Sequence, residues 1–294
     1  MLEVHNVTKK FKNGKGIFNV SFSIKEGEVF GFLGPNGSGK STTIRHIMGF
    51  MKPDTGFIKV NNLDTWKNQG KVQKYMGYLP GEIAFLEGMT GKGFLDFMAE
   101  MQGLKDFSRS HELIERLKFD VNTPIRKMSK GMKQKVGIVA ALMHEPEVII
   151  LDEPTAGLDP LMQRVFIELI LEEKSKGKTI LLSSHSLPEI ERTCDKAAII
   201  KDGVVITVKD IHELQSMQRK LFEITFQNPS DAEAFAKSNL HIEFCEKNKV
   251  RVAVQGNFDE FLAETAKYHV RNIDVFTQNL EEIFMNYYDN EGGL

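Results

Sequence analysis

Apolar and polar positions alternate along the first thirty residues, beginning with residues 2–7 (LEVHNV), and Gly14 and Gly27 interrupt the pattern. A period of two is typical of strands with one buried face, so this region is predicted to form antiparallel β-structure. The alternation changes to a continuous apolar run at residues 29–33, which predicts a fully buried strand. A glycine-rich loop and a segment with apolar residues at helical spacing follow. The chain is therefore predicted to form strand, loop and helix in that order.

The middle of the chain combines helical periodicity with short apolar runs. Apolar residues recur at helical spacing over residues 92–117, with a break at Gly103, and a further helix is predicted over 130–144. These helices predict a helical subdomain at about residues 82–145. Buried strands are predicted where the apolar runs lie, at residues 148–151, 179–183 and 197–200. Buried strands that alternate with helices predict an α/β fold with a parallel sheet.

The pattern changes again after about residue 211. Short strands and helices are predicted in the order β-α-β-β-α-β, which is the ferredoxin-like arrangement. We therefore predict a first domain over residues 1–210 and a small α+β accessory domain over residues 218–294. A closing helix is predicted over 279–288, because its apolar residues form one stripe: Leu280, Ile283, Phe284 and Tyr287.

Composition limits the possible functions. The chain has 294 residues and a formal net charge of -2, so its overall charge gives no reason to expect nucleic-acid binding. Cys194 and Cys245 lie far apart, which argues against a disulfide framework or a thiolate metal site and predicts two buried cysteines. The start of the chain lacks a signal-peptide pattern, and the longest apolar runs are too short to span a bilayer. We expect the chain to stay in the cytoplasm.

Residues 34–41 (GPNGSGKS) match the phosphate-loop pattern G-x-x-x-x-G-K-[ST] at every fixed position, between a predicted strand and a predicted helix. Glycines let consecutive backbone N–H groups point at a polyphosphate, and the helix dipole adds positive potential. In such a loop the lysine, here Lys40, pairs with the β and γ phosphates, and the hydroxyl of Ser41 binds Mg²⁺. The predicted nucleotide-binding residues are Gly34, Pro35, Asn36, Gly37, Ser38, Gly39, Lys40, Ser41 and Thr42.

Two carboxylates follow the apolar strand at residues 148–151, where ligands of open α/β sheets collect. Asp152 is predicted to hold Mg²⁺, directly or through water, together with Ser41. Glu153 is predicted to act as the base, or to position the attacking water, because adjacent strand residues point to opposite sides and the two carboxylates therefore have different roles.

A third segment, residues 128–135 (MSKGMKQK), resembles the signature sequence of ABC-transporter ATPases, usually LSGGQ, and lies in the family's order before the 148–153 strand. The resemblance implies that Ser129 and Gly131 contact the ATP bound to a second subunit, so that two chains form a head-to-tail dimer. Lys130 and Met132 stand where the family usually has glycine and glutamine.

Further segments resemble family motifs. Residues 156–159 (AGLD) resemble the D-loop, in which Asp159 would communicate across the dimer. Residues 183–185 (SSH) resemble the switch segment, in which His185 would contact the γ-phosphate and the attacking water. Phe11 matches the aromatic residue that stacks on adenine in the family, although a phenylalanine near a strand is equally often part of the core.

The segment at residues 78–82 (YLPGE) resembles the Q-loop region, but Gly81 occupies the usual glutamine position. Glycine supplies no side-chain oxygen to a metal, so either Glu82 or water would replace it. In the family the following region, about residues 82–103, contacts the membrane partner. Phe85, Leu86 and Met89 are candidates for that contact, and internal packing explains each of them equally well.

The resemblance covers residues 2–208 closely, with a looser C-terminal match to the accessory domains of ABC-2-type drug, antibiotic and peptide exporters. It implies an ABC ATPase core and an ATP-hydrolysing subunit at the cytoplasmic face of the membrane. It also implies ATP and Mg²⁺ as cofactors, a separate transmembrane permease subunit, and a homodimer or heterodimer with a second ATPase subunit. The alternatives are a soluble ABC-type ATPase or a nucleotide-dependent regulator not tied to transport. No nucleic acid is expected as a partner.

Overall fold

A computed structural model of the chain describes residues 1–216, 220–254 and 258–277. The chain divides into two compact units, Met1–Asp210 and Ile211–Leu294. The predicted helix over 279–288 lies outside the described residues.

The first unit combines strands and helices along its whole length. In chain order, its strands are β1 (Leu2–Lys10), β2 (Gly16–Ile24), β3 (Val29–Leu33), β4 (Thr55–Val60), β5 (Leu63–Asp64), β6 (Met76–Leu79), β7 (Val148–Asp152), β8 (Thr179–Ser184), β9 (Lys196–Lys201) and β10 (Val204–Asp210). Its helices are α1 (Lys40–Ile47), α2 (Gln69–Val72), α3 (Gly91–Gln102), α4 (Ser108–Leu117), α5 (Lys130–Leu142), α6 (Pro160–Ser175) and α7 (Leu187–Thr193).

An antiparallel sheet with strand order β2-β1-β4-β5 forms one layer of this unit. The alternation of the first thirty residues predicts β1 and β2, and these strands pair antiparallel as expected. Strands β4 and β5 are not identified from the sequence. Strand β4 starts on exposed residues and β5 has only two residues, so neither shows an extended alternation.

The second layer is a six-stranded sheet with the order β10-β9-β3-β8-β7-β6. Strands β9, β3, β8, β7 and β6 run parallel, and β10 is an antiparallel edge strand. The predicted α/β fold with a parallel sheet is confirmed. The sequence pattern does not predict strand β6, because it is short and contains Gly77. A Cβ atom at Gly77 would lie 2.0 Å from the carbonyl oxygen of Ala141, so only glycine lets α5 pack against β6 here.

Helix α1 lies between the two sheets, and its residues Ile44 and Ile47 are completely buried. The same core takes apolar residues from both sheets, among them Val4, Phe22, Phe32, Ile150 and Ile200. Burying apolar surface on both sides fixes the position of α1, and therefore of the loop that precedes it.

Helices α3, α4 and α5 make up the helical part of the unit. Thr90 caps α3 by accepting a hydrogen bond from Gly93 N at 3.1 Å, and Gly103 ends that helix in a left-handed conformation, as its position in the sequence predicts. The buried side chain of Arg109 on α4 pairs with Glu173 on α6 and with Glu112 on its own helix. The pair with Glu173 joins the helical part to α6.

The second unit contains the described elements α8 (Ile211–Ser216), β11 (Lys220–Phe226), α9 (Pro229–Phe235), β12 (His241–Glu246), β13 (Lys249–Val254), α10 (Asp259–Thr265) and β14 (Val270–Thr277). Its sheet is antiparallel with the order β12-β13-β11-β14, and Phe226, Phe235 and Phe261 are buried in its core. The assignment of this unit as ferredoxin-like stays a prediction.

The structure also bears on membrane-spanning segments and on the two cysteines. In the part of the chain that the structure describes, no helix is long and apolar enough to cross a bilayer. Cys194 is buried as predicted, and burial raises the pKa of its thiol to about 12. Cys245 is exposed on β12, so the expectation that it is buried was wrong.

Candidate functional site

The phosphate loop connects the end of β3 to the start of α1. Gly39, the residue before the helix, has φ 110°, a left-handed conformation that favours glycine. A Cβ atom at Gly34 would lie 2.4 Å from the carbonyl oxygen of Ile200, so the first glycine lets the loop approach β9. The glycines are therefore required by the path of the backbone, and the loop leads directly into the N-terminus of a helix held between two sheets.

Lys40 is the first residue of α1, and its side chain is only 5% exposed. Its Nζ donates hydrogen bonds to the carbonyl oxygens of Gly34 at 2.6 Å and Pro35 at 3.2 Å. The same atom forms an ion pair with Glu153 Oε1 at 3.1 Å. The ammonium group is thus held over the loop by one carboxylate and two carbonyls.

A cavity of about 670 Å³ opens over the loop. Phe11 lies at its edge in the hairpin between β1 and β2, where Phe11 N donates to Lys15 O at 2.8 Å. This geometry brings Phe11, Glu153 and the phosphate loop to one cavity. Most of the predicted nucleotide-binding residues line it: Phe11, Pro35, Asn36, Gly37, Ser38, Gly39, Lys40, Ser41 and Thr42.

Asp152 and Glu153 lie at the carboxyl end of β7, as predicted. Ser183 on the neighbouring strand β8 donates from Oγ to Asp152 Oδ1 at 2.5 Å. The backbone N–H of Glu153 donates to the same hydroxyl at 3.1 Å and to Ser183 O at 3.2 Å. Glu153 has φ 51°, so the chain turns out of the strand at this residue. A left-handed turn held by these hydrogen bonds, rather than strand alternation, directs the two carboxylates to different places.

The side chain of His185, at the end of β8, is 63% exposed. Its Nδ1 lies 2.6 Å from Glu153 Oε2. One oxygen of Glu153 therefore faces Lys40 and the other faces His185. A carboxylate between an ammonium group and an imidazole is suited to hold a water molecule or to exchange a proton.

Gly81 lies next to Asp152. A Cβ atom at Gly81 would be 3.4 Å from Asp152 Oδ2, which is van der Waals contact, so a side chain at this position would lie against the carboxylate. Tyr78 on β6 is also near Asp152: burial, and secondarily the Asp152 charge, raise the pKa of its phenol to about 12. Glu82 is exposed.

The oxygen groups of Ser41 and Asp152 suit a hard cation such as Mg²⁺, which usually takes one or two protein oxygens and completes its shell with phosphate and water. Asp152 Oδ1 already accepts a hydrogen bond from Ser183, and glycine rather than a larger side chain stands beside Oδ2. No cluster of three or more histidine, cysteine or acidic residues able to hold a metal occurs among the described residues. The residues present fit a cation bound jointly by protein and nucleotide.

The segment resembling the signature begins α5. Ser129 is the N-cap, and its Oγ accepts a hydrogen bond from Met132 N at 3.2 Å. A Cβ atom at Gly131 would lie 2.6 Å from the carbonyl oxygen of Gly157, so the signature segment and the D-loop segment pack together. Asp159 is the N-cap of α6 and accepts a hydrogen bond from Met162 N at 3.0 Å. Ser129, Gly131 and Asp159 do not line the 670 Å³ cavity.

The structure adds residues that the sequence pattern does not single out. Gln134 on α5 is buried, and its Nε2 donates to Pro154 O at 2.9 Å and to Glu153 O at 3.3 Å, so it links the signature helix to the turn at Glu153. The signal that could have identified Gln134 in the sequence is a polar residue at a helix position that is expected to be buried. Asn13, Lys15 and Asp202 also line the cavity. They come from loops whose proximity to the phosphate loop no sequence pattern indicates.

The chain is similar to known proteins over most of its length. A family described as "ABC transporter" matches residues 17–156. The linearmycin resistance ATP-binding protein LnrL of Bacillus subtilis (strain 168) is 31% identical over 97% of this chain and 97% of its own length. The bacitracin transport ATP-binding protein BcrA of Bacillus licheniformis is 30% identical over 97% of this chain and 96% of its own.

Two solved structures show the same likeness. One is described as the ATP-binding subunit of an ABC transporter; it is 34% identical, with a TM-score of 0.68 over 73% of this chain and 92% of that chain. The other is the dimeric cassette MJ0796 in a post-hydrolysis state bound to ADP and Pi. It is 26% identical, with a TM-score of 0.66 over 72% of this chain and 99% of that chain.

Proposed function

The chain belongs to the ATP-binding subunits of ABC transporters, and from this premise we propose that it powers export of an antibiotic-like compound through a separate transmembrane subunit. It binds and hydrolyses ATP as its family does. Our proposal concerns the direction of transport and the class of cargo. It is supported by two relatives, LnrL and BcrA, whose names refer to linearmycin resistance and to bacitracin transport. The alternative of a nucleotide-dependent regulator not tied to transport is not favoured by these relatives.

The observation that carries the assignment of catalytic roles is the position of Glu153 between Lys40 and His185. Its two oxygens lie 3.1 Å from Lys40 Nζ and 2.6 Å from His185 Nδ1, at the edge of the cavity over the phosphate loop. Glu153 would hold and deprotonate the attacking water, and His185 would hold Glu153 and contact the γ-phosphate.

The ion pair between Lys40 and Glu153 has a consequence for binding. When a triphosphate enters the loop, its β and γ oxygens compete with Glu153 for the ammonium group of Lys40. Transfer of Lys40 to the phosphates frees Glu153 Oε1 to accept a hydrogen bond from water. Bound Mg²⁺, held by Ser41 and Asp152, would neutralise charge that develops on the phosphates.

The family implies a dimeric cassette, and we propose that Ser129 and Gly131 complete the nucleotide site of the second subunit. Ser129 is exposed at the N-terminus of a thirteen-residue helix, where backbone N–H groups and the helix dipole favour an anion. Neither residue lines the cavity of its own chain. Ser129 and Gly131 would therefore contact the phosphate that is bound in the other subunit. Whether that subunit is a second copy would follow from the mass of the ATP-bound dimer.

The contact with the transmembrane subunit is proposed to lie between β6 and α3. A cavity of about 730 Å³ there is lined by Ile83, Phe85, Leu86, Met89 and Ile125, among others. Leu86 is 47% exposed, and Phe85 packs edge-to-face on Phe94 at 4.9 Å, so only part of this apolar group is used for internal packing. A contact at this place would put the chain at the cytoplasmic face of the membrane.

The export proposal is tested with the chain and its transmembrane subunit co-purified and reconstituted into lipid vesicles. We expect MgATP to drive a peptide antibiotic across the bilayer and the antibiotic to stimulate ATP turnover. Vesicles reconstituted with the Lys40→Ala variant are the control, because this variant is expected to bind ATP weakly and therefore not to drive transport. Turnover that no cargo stimulates, together with no ATP-driven movement of antibiotic, would contradict the exporter assignment while leaving the ATPase assignment intact.

Phe11 is expected to stack on the adenine of the nucleotide. Removing an aromatic ring from a base costs about 1–3 kcal/mol, so Phe11→Ala is expected to weaken ATP binding by about fivefold to a hundredfold. Calorimetric titration of ATP and of triphosphate without a base separates stacking from a core defect. Only ATP should lose affinity; an equal loss for both ligands, or none, would reject the stacking role.

The second unit is proposed to support dimerisation or regulation. The cut that tests this lies after Asp210, because β10 (Val204–Asp210) is an edge strand of the ATPase sheet and must stay complete. We expect the truncated chain to require higher protein concentration for ATP-dependent dimerisation, measured by light scattering. Unchanged dimerisation, ATP turnover and transport would remove this role.

A further inference from the structure

A buried carboxyl group lies behind the proposed catalytic pair, outside the nucleotide cavity. Glu189 belongs to α7 and is 6% exposed. Its Oε2 accepts hydrogen bonds from Ser184 Oγ at 2.6 Å and from Thr155 Oγ1 at 3.2 Å. Its Oε1 is buried and has no hydrogen-bond partner. A buried carboxyl group with one bare oxygen is costly, and this cost calls for an explanation.

The two hydroxyl donors belong to the two segments that carry the proposed catalytic groups. Ser184 directly precedes His185, and Thr155 follows Glu153 by two residues. One oxygen of Glu189 therefore joins the end of β8 to the turn after β7. The distance between the catalytic side chains across the same two segments is 2.6 Å, from His185 Nδ1 to Glu153 Oε2.

Glu189 is itself held firmly by its neighbours. Ile190, the next residue, is completely buried, and a Cβ atom at Gly31 on β3 would lie 2.8 Å from Ile190 Cδ1. Helix α7 thus packs directly on the central strand of the parallel sheet. Thr193 Oγ1 also donates to Glu189 O at 2.7 Å. A carboxyl group on such an anchored helix can fix the end of β8 relative to the turn after β7.

The surroundings agree with a positioning role rather than direct chemistry. Glu189 lines a second cavity of about 480 Å³, together with Thr155, His185 and Arg192, among others, and it does not line the cavity over the phosphate loop. Burial raises the pKa of the Glu189 carboxyl, against the opposing effect of its two hydroxyl donors.

We propose that Glu189 is a positioning residue for ATP hydrolysis, which holds His185 against Glu153 by binding Ser184 and Thr155 with one oxygen. This inference rests on the proposed roles of Glu153 and His185. A misplacement of about 1 Å at a reacting centre can reduce a rate by about 10²-fold, so the effect of releasing these segments falls on the catalytic step. Binding of the nucleotide, which uses the phosphate loop, is not affected.

The test measures MgATP affinity, kcat and KM for variants of the complete chain. We expect Glu189→Ala to reduce kcat by about tenfold or more and to leave the Kd for MgATP within about twofold. A general loss of structure would instead weaken MgATP binding as well. Glu189→Gln keeps an oxygen that accepts both hydroxyl bonds and is expected to restore most of the turnover. Glu28→Gln is the matched control. Glu28 is also a buried carboxylate, and it directly precedes β3, whereas the phosphate loop follows that strand. The kcat of Glu28→Gln should equal that of the parent.

A double-mutant cycle separates positioning from a direct role. If Glu189 acts through His185, Glu189→Ala should cost no further turnover in a His185→Ala background. Independent losses that multiply in the double variant would overturn the proposal, as would a parental kcat in Glu189→Ala. Should Glu189→Ala fail to fold, Ser184→Ala and Thr155→Val remove the two bonds singly, and both are expected to lower kcat; parental turnover in both would overturn it.

The His185→Ala variant alone distinguishes failure of the catalytic assignment from failure of the positioning role. If it hydrolyses ATP at the parental rate, the proposed role of His185 is wrong. If it loses turnover while Glu189→Ala does not, only the positioning inference is wrong.

Discussion

Glu153→Gln is expected to bind ATP at least as tightly as the parent and to lose turnover by about 10²-fold or more, the range that a general base contributes. Glutamine preserves the size of the side chain but cannot take a proton from water. It also removes the charge that pairs with Lys40, so Lys40 is more available to the phosphates. We expect ATP binding to close the dimer and hydrolysis to reopen it, so the variant should accumulate as an ATP-bound dimer, measured by light scattering after gel filtration.

A control variant lies at the other end of the same strand. Glu147 directly precedes β7, as Glu153 directly follows it, and its side chain is exposed. Glu147→Gln should hydrolyse ATP at the parental rate and should not accumulate as a dimer. Parental turnover in Glu153→Gln would refute the role of Glu153 as the base.

Lys40→Ala is expected to weaken binding of ATP itself. Hydrogen bonds to charged groups contribute about 1.5–3 kcal/mol, so the loss should be about tenfold to a hundredfold in Kd. The loss is expected for ATP and, to a smaller extent, for ADP, since the lysine is predicted to contact the β and γ phosphates. Titration calorimetry with both nucleotides measures it.

Lys40→Ala also removes the ion-pair partner of Glu153, and alanine has a smaller side chain than lysine. Lys40→Met, which nearly preserves the volume, should show the same loss of affinity, and Lys71→Ala on the surface of α2 should show none. Parental affinity in both Lys40 variants would exclude the role of Lys40 in binding phosphate.

Local sequence patterns predicted much of this molecule. The phosphate loop needs glycines, a lysine and a hydroxyl at fixed spacing between strand and helix, and all of these are neighbours in the sequence. The apolar runs that become β3, β7, β8 and β9 are continuous because both faces of these strands are covered. Strands β4, β5 and β6 escaped prediction because they are short and depend on pairing with distant strands.

The relation between distant segments required the structure. The adjacency of Asp152 and Glu153 is evident in the sequence, but the left-handed turn at Glu153 and its hydrogen bonds to Ser183 decide where each carboxylate points. The ion pair with Lys40 and the contact with His185 join α1 to the residues that directly follow β7 and β8.

Motif spacing along the chain was thus enough to identify the α/β fold, the phosphate loop and the family, because those properties reside in consecutive residues. The place of Gln134 behind Glu153, and the link from Glu189 to Ser184 and Thr155, appeared only in the folded molecule. The physical reason is that such hydrogen bonds act over about 3 Å in space. A pattern of neighbouring residues carries no record of which distant polar groups the packing of helices and strands will bring within that reach.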